Sequence, residues 1–201
     1  MRTPIALAVT IPALLLLAAC SSPGGPPTPS ATSSSSPTPT ATRATTLDPC
    51  LLVTASEAST LAGASFGAGV ESITGDAGQG RRCDYGSQTT NVFFVQVGTS
   101  PSADAAQADW AAEEAKADAQ IAAGFPAELN PQVNKTDVTG LADKAAVGTG
   151  SETLDGHTVS FGVIYLLKGA NFLGFGDLTL GTAPTADALK AQAATSLDRM
   201  P

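Results

Sequence analysis

The chain has a single histidine, and His157 stands close behind Ser151 and Asp155. A carboxylate that orients an imidazole beside a hydroxyl is the equipment of general-base and nucleophilic catalysis. The competing reading is plainer: Asp155-Gly156 ahead of an apolar run is a turn, with the histidine at the head of the strand that follows. A second stretch, GDAGQGRR (75–82), offers glycine N–H groups and two adjacent cations, Arg81 and Arg82, which together can cradle a phosphate. Phosphate loops of that kind lead into a helix, whereas this one leads into a strand. It reads as an inter-strand turn carrying a basic pair. With one histidine and no Asp-x-Asp-x-Asp-Gly loop, no metal is expected, and no cofactor is expected either. These groups do not converge, so the chain reads as non-catalytic. The enzyme alternative, acting on wall or lipid substrates, needs Asp155, His157 and Ser151 or Arg82 to meet in one cleft.

Cysteine chemistry is the more informative. The apolar run Ile5–Ala19 is shorter than the ~20 residues a spanning helix needs. Arg2 precedes it and the small pair Ala18-Ala19 ends it, the pattern of a secretory signal. Leu17-Ala18-Ala19-Cys20 looks like a bacterial lipobox, in which the thiol takes a diacylglyceryl group before cleavage ahead of it. Residues 1–19 are then a signal peptide and Cys20 is the lipidated mature N-terminus. Two or three acyl chains on one residue hold a protein firmly to a bilayer, where one is marginal. The alternatives are an ordinary secretory signal or an uncleaved anchor. Two of the three cysteines remain, Cys50 and Cys83. In an oxidising compartment they read as a structural disulfide; a thiol redox couple is the other reading, although it favours a Cys-x-x-Cys spacing that is absent.

Residues 20–46 carry the lipidated cysteine and then almost nothing but Ser, Thr, Pro, Ala and Gly. Such a composition buries too little apolar surface to order itself, which makes it a tether, whether plain or O-glycosylated. About 155 residues are left, 47–201, enough for one globular domain with a real core. Ten Lys+Arg against eighteen Asp+Glu give a net charge of -8, and loss of Arg2 with the signal makes it -9. An acidic domain repels phosphate backbones, so nucleic acid is excluded as a partner. The partners expected are the membrane, through the anchor, and an apolar ligand or an envelope protein.

The elements that must position these groups are legible in outline. Thr54 with Glu57 forms a capping box and Gly63 a stop, which predicts a two-turn helix burying Ala58 and Leu61. VESIT, RRCDY and NVFFVQV read as strands, with a hairpin at GSQTT. From Ser100 to Gly124 runs an Ala-rich helix, with Ser100 as cap, Pro101 at its first position, and Ala103, Ala106, Trp110, Ala117 and Ile121 on one stripe. Val159, Phe161, Val163, Tyr165 and Leu167 alternate along a strand that turns at Lys168–Asn171 into another. Ala186, Leu189, Ala193, Leu197 and Met200 mark a last helix from Thr185. Hairpin then helix, used twice, predicts an α+β domain, an antiparallel sheet with helices packed on it.

Asp48-Pro49-Cys50-x-Leu52, Thr54 and Glu57, Cys83-x-Tyr85, and Gly140-Leu141-x-Asp143-x-Ala145 before a Lys-Gly hairpin together resemble a group of actinobacterial cell-envelope lipoproteins that carry a domain of unknown function. Ala142 departs from that pattern, which has glycine there. The resemblance implies the pairing of Cys50 with Cys83, an envelope location and this architecture, and it carries no reaction. The expected function is that of a non-catalytic binding module, exported and lipid-anchored to the outer face of the cell membrane; a structural accessory of an envelope complex is a further alternative. Because alanines fill little volume, the concave site is sought beneath the Trp110 helix. Trp110, Phe93 and Phe161 with Arg81 and Arg82 form the candidate ligand or partner face.

Overall fold

The computed structural model describes residues 47–74, 80–87, 91–123, 133–154 and 156–200; the expected signal peptide, Cys20, the expected tether, Asp155 and most of both turns flanking the second strand lie outside them. The chain opens on a one-turn helix, α1 (Pro49–Leu52), that the helical periodicity does not announce. Its start is chemically specified: the Asp48 carboxylate accepts the Cys50 N–H at 2.9 Å, and Pro49 needs no partner for a missing N–H. The helix α2 (Ala55–Ala62) has the predicted capping box between Thr54 and Glu57. It ends at Gly63 with φ 61°, left-handed backbone that a side chain resists.

Among the described residues seven antiparallel strands follow: β1 (Val70–Thr74), β2 (Gly80–Ser87), β3 (Asn91–Thr99), and, after the helix α3 (Ala103–Ala123), β4 (Asn134–Asp137), β5 (Lys144–Leu154), β6 (His157–Lys168) and β7 (Asn171–Thr179), closed by α4 (Ala186–Asp198). Their spatial order is β1-β2-β3-β7-β6-β5-β4. Each half is therefore a meander followed by a helix, three strands then α3 and four strands then α4, and the halves join where β3 pairs with β7. The expected order of hairpin then helix is present in both, as β2–β3 before α3 and β6–β7 before α4, and β4 and β5 are strands beyond those expected. The sequence of β5, KAAVGTGSETL, is nearly all small or polar, so its alternation is faint; its pairing with β6 along eleven residues makes it a strand.

Side-chain alternation splits the core between two faces. On one face α1, α2 and α4 cover Val53, Cys83, Tyr85, Phe93, Val95, Ile164, Leu166, Leu173, Phe175 and Leu189, all but sealed from solvent. On the other face α3 packs Ala106 and Trp110 on Val163, Tyr165 and Leu167, with Phe94 and Phe172 at the margin. The strand β6 is buried on both faces from Phe161 to Leu167, which is why its apolar run is continuous rather than alternating. Three ties lock the first face. The disulfide joins Cys50 to Cys83, whose Cα atoms lie 5.3 Å apart. The Tyr85 hydroxyl donates to the Val53 carbonyl at 2.5 Å and lies 3.2 Å from that of Cys50. At the far end, Arg199 clasps the Glu57 carboxylate with two nitrogens and donates to the Leu52 carbonyl at 2.9 Å.

One boundary differs from the sequence expectation. The cap of α3 is Ser102 rather than Ser100: its hydroxyl accepts the Ala105 N–H at 3.1 Å and its carbonyl the Ala106 N–H. Ser100 is engaged elsewhere, its N–H donating to the Ala170 carbonyl in the β6–β7 turn. On the predicted stripe Ala106 and Trp110 are buried and Ala103 is exposed.

Candidate functional site

The helix α3 lies across β6 and β7. Among the described residues no helix covers the same face over β1 to β3, and a half-open cleft of about 500 Å³ lies along that boundary. Its floor is aromatic: Phe94 from β3, Tyr165 from β6 and Phe172 from β7. Two glycines shape it. A side chain on Gly174 would run into the Tyr165 ring, its Cβ only 2.9 Å away, whereas one on Gly98 would meet little but the Phe172 Cβ at 4.0 Å. Gly174 thus lets Tyr165 lie down against Phe172, ring centroids 6.0 Å apart, and Trp110 also meets Phe172, at 6.1 Å.

The walls are polar. Asp109, Glu113 and Lys116 descend from α3, and Gln96 and Thr74 rise from the strands opposite. Lys116 pairs with Glu113 one turn back and its side chain is 66% exposed, so its ammonium stands at the mouth. Arg82 lies over the Phe94 ring, 4.8 Å from the centroid, and pairs with Asp84 at 2.8 Å. Burial pushes the Tyr165 hydroxyl far above the usual phenol range, and the carboxylates Asp118 and Glu114 add to the shift, so it is a hydrogen-bonding phenol at any physiological pH. Lys135 of β4 answers those two carboxylates, at 3.0 Å from Asp118 and 3.5 Å from Glu114.

The five residues of the expected face do not share one face. Trp110, Phe161 and Arg82 are on the α3 side, and Phe161 is 1% exposed. Phe93 and Arg81 project to the opposite side, because neighbours in a strand alternate: Phe93 is sealed in the core, and Arg81 pairs with Glu71 and donates to the Leu47 carbonyl at 2.7 Å. The adjacent arginines therefore cannot act as a pair on one phosphate. Of the catalytic alternative, Asp155 lies outside the described residues. His157 is exposed at the start of β6, and Ser151 on β5 aligns with Ser160, an even-numbered rung that faces the opposite side of the sheet from His157. Among the described residues no group of three His, Cys, Asp or Glu side chains is placed to hold a metal ion, and no helix is long and apolar enough to cross a membrane.

Sequence reasoning missed Asp177. It is a fully buried carboxylate in β7, flanked by Phe93 and Gly162 on the face covered by α4, and neither oxygen finds a hydrogen-bonding partner. Burial pushes its pKa up to about 7; the nearby Gly162 N–H pulls the other way and is the smaller effect. A carboxylate in the run GFGDLTL gave a signal, an acid at an inward position of an apolar strand.

These features define an α+β domain with a half-covered sheet and a cleft at the edge of the cover. The chain belongs to the family described as Protein of unknown function (DUF3558), whose model matches residues 15–157. No curated protein matches it. Among solved structures it is similar to the extracellular domain of PknH from Mycobacterium tuberculosis, at 15% identity and a TM-score of 0.45, over 74% of this chain and 92% of that one. The motif residues on which the resemblance is based have structural duties here. Asp48, Cys50, Cys83 and Tyr85 staple α1 to β2, and the Asp143 carboxylate accepts the Gly169 N–H at 2.6 Å, holding the β6–β7 turn.

Proposed function

We propose that this chain is an exported, lipid-anchored binding module of the cell envelope, without catalysis, whose cleft beside α3 holds a small ligand. The cleft carries the reading. At about 500 Å³ it falls within the range of small-molecule sites, ~300–1,000 Å³, and it combines an aromatic floor with a few convergent polar groups. Because its walls mix Asp109, Glu113 and Gln96 with those rings, an amphipathic ligand fits it better than a purely apolar one. Anchoring is supported by the short leader ending in Leu17-Ala18-Ala19-Cys20, a motif inside the stretch the family model matches. Native mass spectrometry of the full chain, gently extracted from its own envelope, is the test. We expect acyl chains on Cys20 and a reproducible non-covalent adduct that the cleft-filling variant Gly98→Phe loses. A bare polypeptide mass rejects the ligand, and an unmodified Cys20 rejects the anchor.

Docking of an envelope protein is the second reading, and β1 favours it. This edge strand exposes Val70 and Ile73, at 70% and 74%, and no Lys or Pro interrupts it. The opposite edge, β4, carries Lys135 and Asp137. Photo-crosslinking from position 73 in cells would capture such a partner; absence of any adduct from that position refutes docking there.

A further inference from the structure

The cleft beside α3 is unequal in charge, and this narrows what it can hold; the inference rests on the binding reading above. Three charged side chains line it, Asp109, Glu113 and Lys116. Glu113 and Lys116 are spent on each other, and the ammonium is directed to solvent. The neighbouring Arg82 is balanced by Asp84. Asp109 shares that already paired ammonium, so two carboxylates answer to one cation and the wall keeps one negative charge in excess, facing a floor of aromatic rings whose π faces are negative. The rest of the chain does not reverse this sign, since the net charge is -8. The floor already accommodates a cation of its own, the Arg82 guanidinium on the Phe94 ring.

We propose that the cleft binds a cationic group, an ammonium or guanidinium borne on an apolar body, with the charge against Asp109 and the apolar part on Phe172 and Tyr165. An anion would meet Asp109 and Glu113 at the wall with Lys116 alone set against them, and a neutral apolar molecule would leave the excess negative charge unanswered.

The test uses the full chain in non-ionic detergent and the fluorescence of Trp110. It is the chain's single tryptophan and packs on Phe172 of the floor. Three probes of one shape separate the terms: 2-phenylethylammonium, 2-phenylethanol and 3-phenylpropionate. The ammonium should bind more tightly than the alcohol by up to about fivefold, the range of one exposed charge pair, and the carboxylate should bind least. Asp109→Asn, on an exposed helix surface, should erase the preference for the ammonium and leave the alcohol unchanged; Lys116→Met should strengthen ammonium binding. Equal binding of ammonium and alcohol, or a preference that survives Asp109→Asn, overturns the charge assignment while leaving a binding cleft. Silence from all three probes overturns the cleft as a ligand site and this inference with it.

Discussion

Replacing Asp177 by asparagine should stabilise the protein, and the gain should depend on pH in one direction. The carboxyl is 0% exposed, without a hydrogen-bonding partner, and shifted from an ordinary 3.8 to about 7 by burial. No charged side chain contributes to that shift: the groups beside it are Phe93 of β3, Gly162 of β6 and, above Gly162, Pro184 and Leu189 at the start of α4. A folded-state pKa above the unfolded one means that the native protein holds the proton more tightly. The stability this confers is complete below the unfolded pKa and lost as pH rises through the folded one. Between pH 4 and pH 8 the loss is the difference of the two pKa values at ~1.4 kcal/mol each, or about 4 kcal/mol. Asparagine has no proton to lose. Urea unfolding of both proteins at intervals across that range should give a difference in unfolding free energy that grows with pH by a few kcal/mol in favour of Asp177→Asn and levels off above pH 8. Any fixed offset from the amide's own hydrogen-bonding needs is the same at every pH, so the slope is diagnostic. A flat difference would refute the buried, isolated carboxyl.

Opening the Cys50–Cys83 bridge with reductant should cost about 3–4 kcal/mol, the chain-entropy value for its loop, seen as a lower urea midpoint that Cys50→Ser reproduces and reductant does not lower further. Tyr85→Phe should cost about 1–2 kcal/mol by leaving the Val53 carbonyl without its buried donor, with an unchanged urea slope. Arg199 holds the Glu57 carboxyl down to about 2, and a depressed pKa confers stability that is present above the ordinary glutamate range and lost as pH falls through the folded value. The pair is partly exposed, so Arg199→Met should cost about 1 kcal/mol at neutral pH after solvent screening. That deficit should shrink towards pH 2; one that persists there would assign the effect to packing.

The residue pattern by itself determined the local elements whose signals are local. A capping box, a glycine stop, a proline at a helix start and a Lys-Gly turn act through bonds to near neighbours, so Thr54, Gly63 and Thr185 mark the ends of α2 and α4 where expected. Strong alternation did the same for β1, β2, β3, β6 and β7. Weak alternation hid β4 and β5, since small and polar residues bury little and β5 is a strand because β6 pairs with it. Only the tertiary structure decided which residues share a face. Phe161 and Phe93 are equally apolar in the sequence, yet one faces the α3 side of the sheet and the other lies under α1 and α2. That assignment depends on which side of the sheet each helix crosses, and the connections between strands set it, not the residues themselves. The isolation of Asp177 and the aromatic floor of the cleft arise in the same way, from strands far apart in the chain brought to adjacent positions.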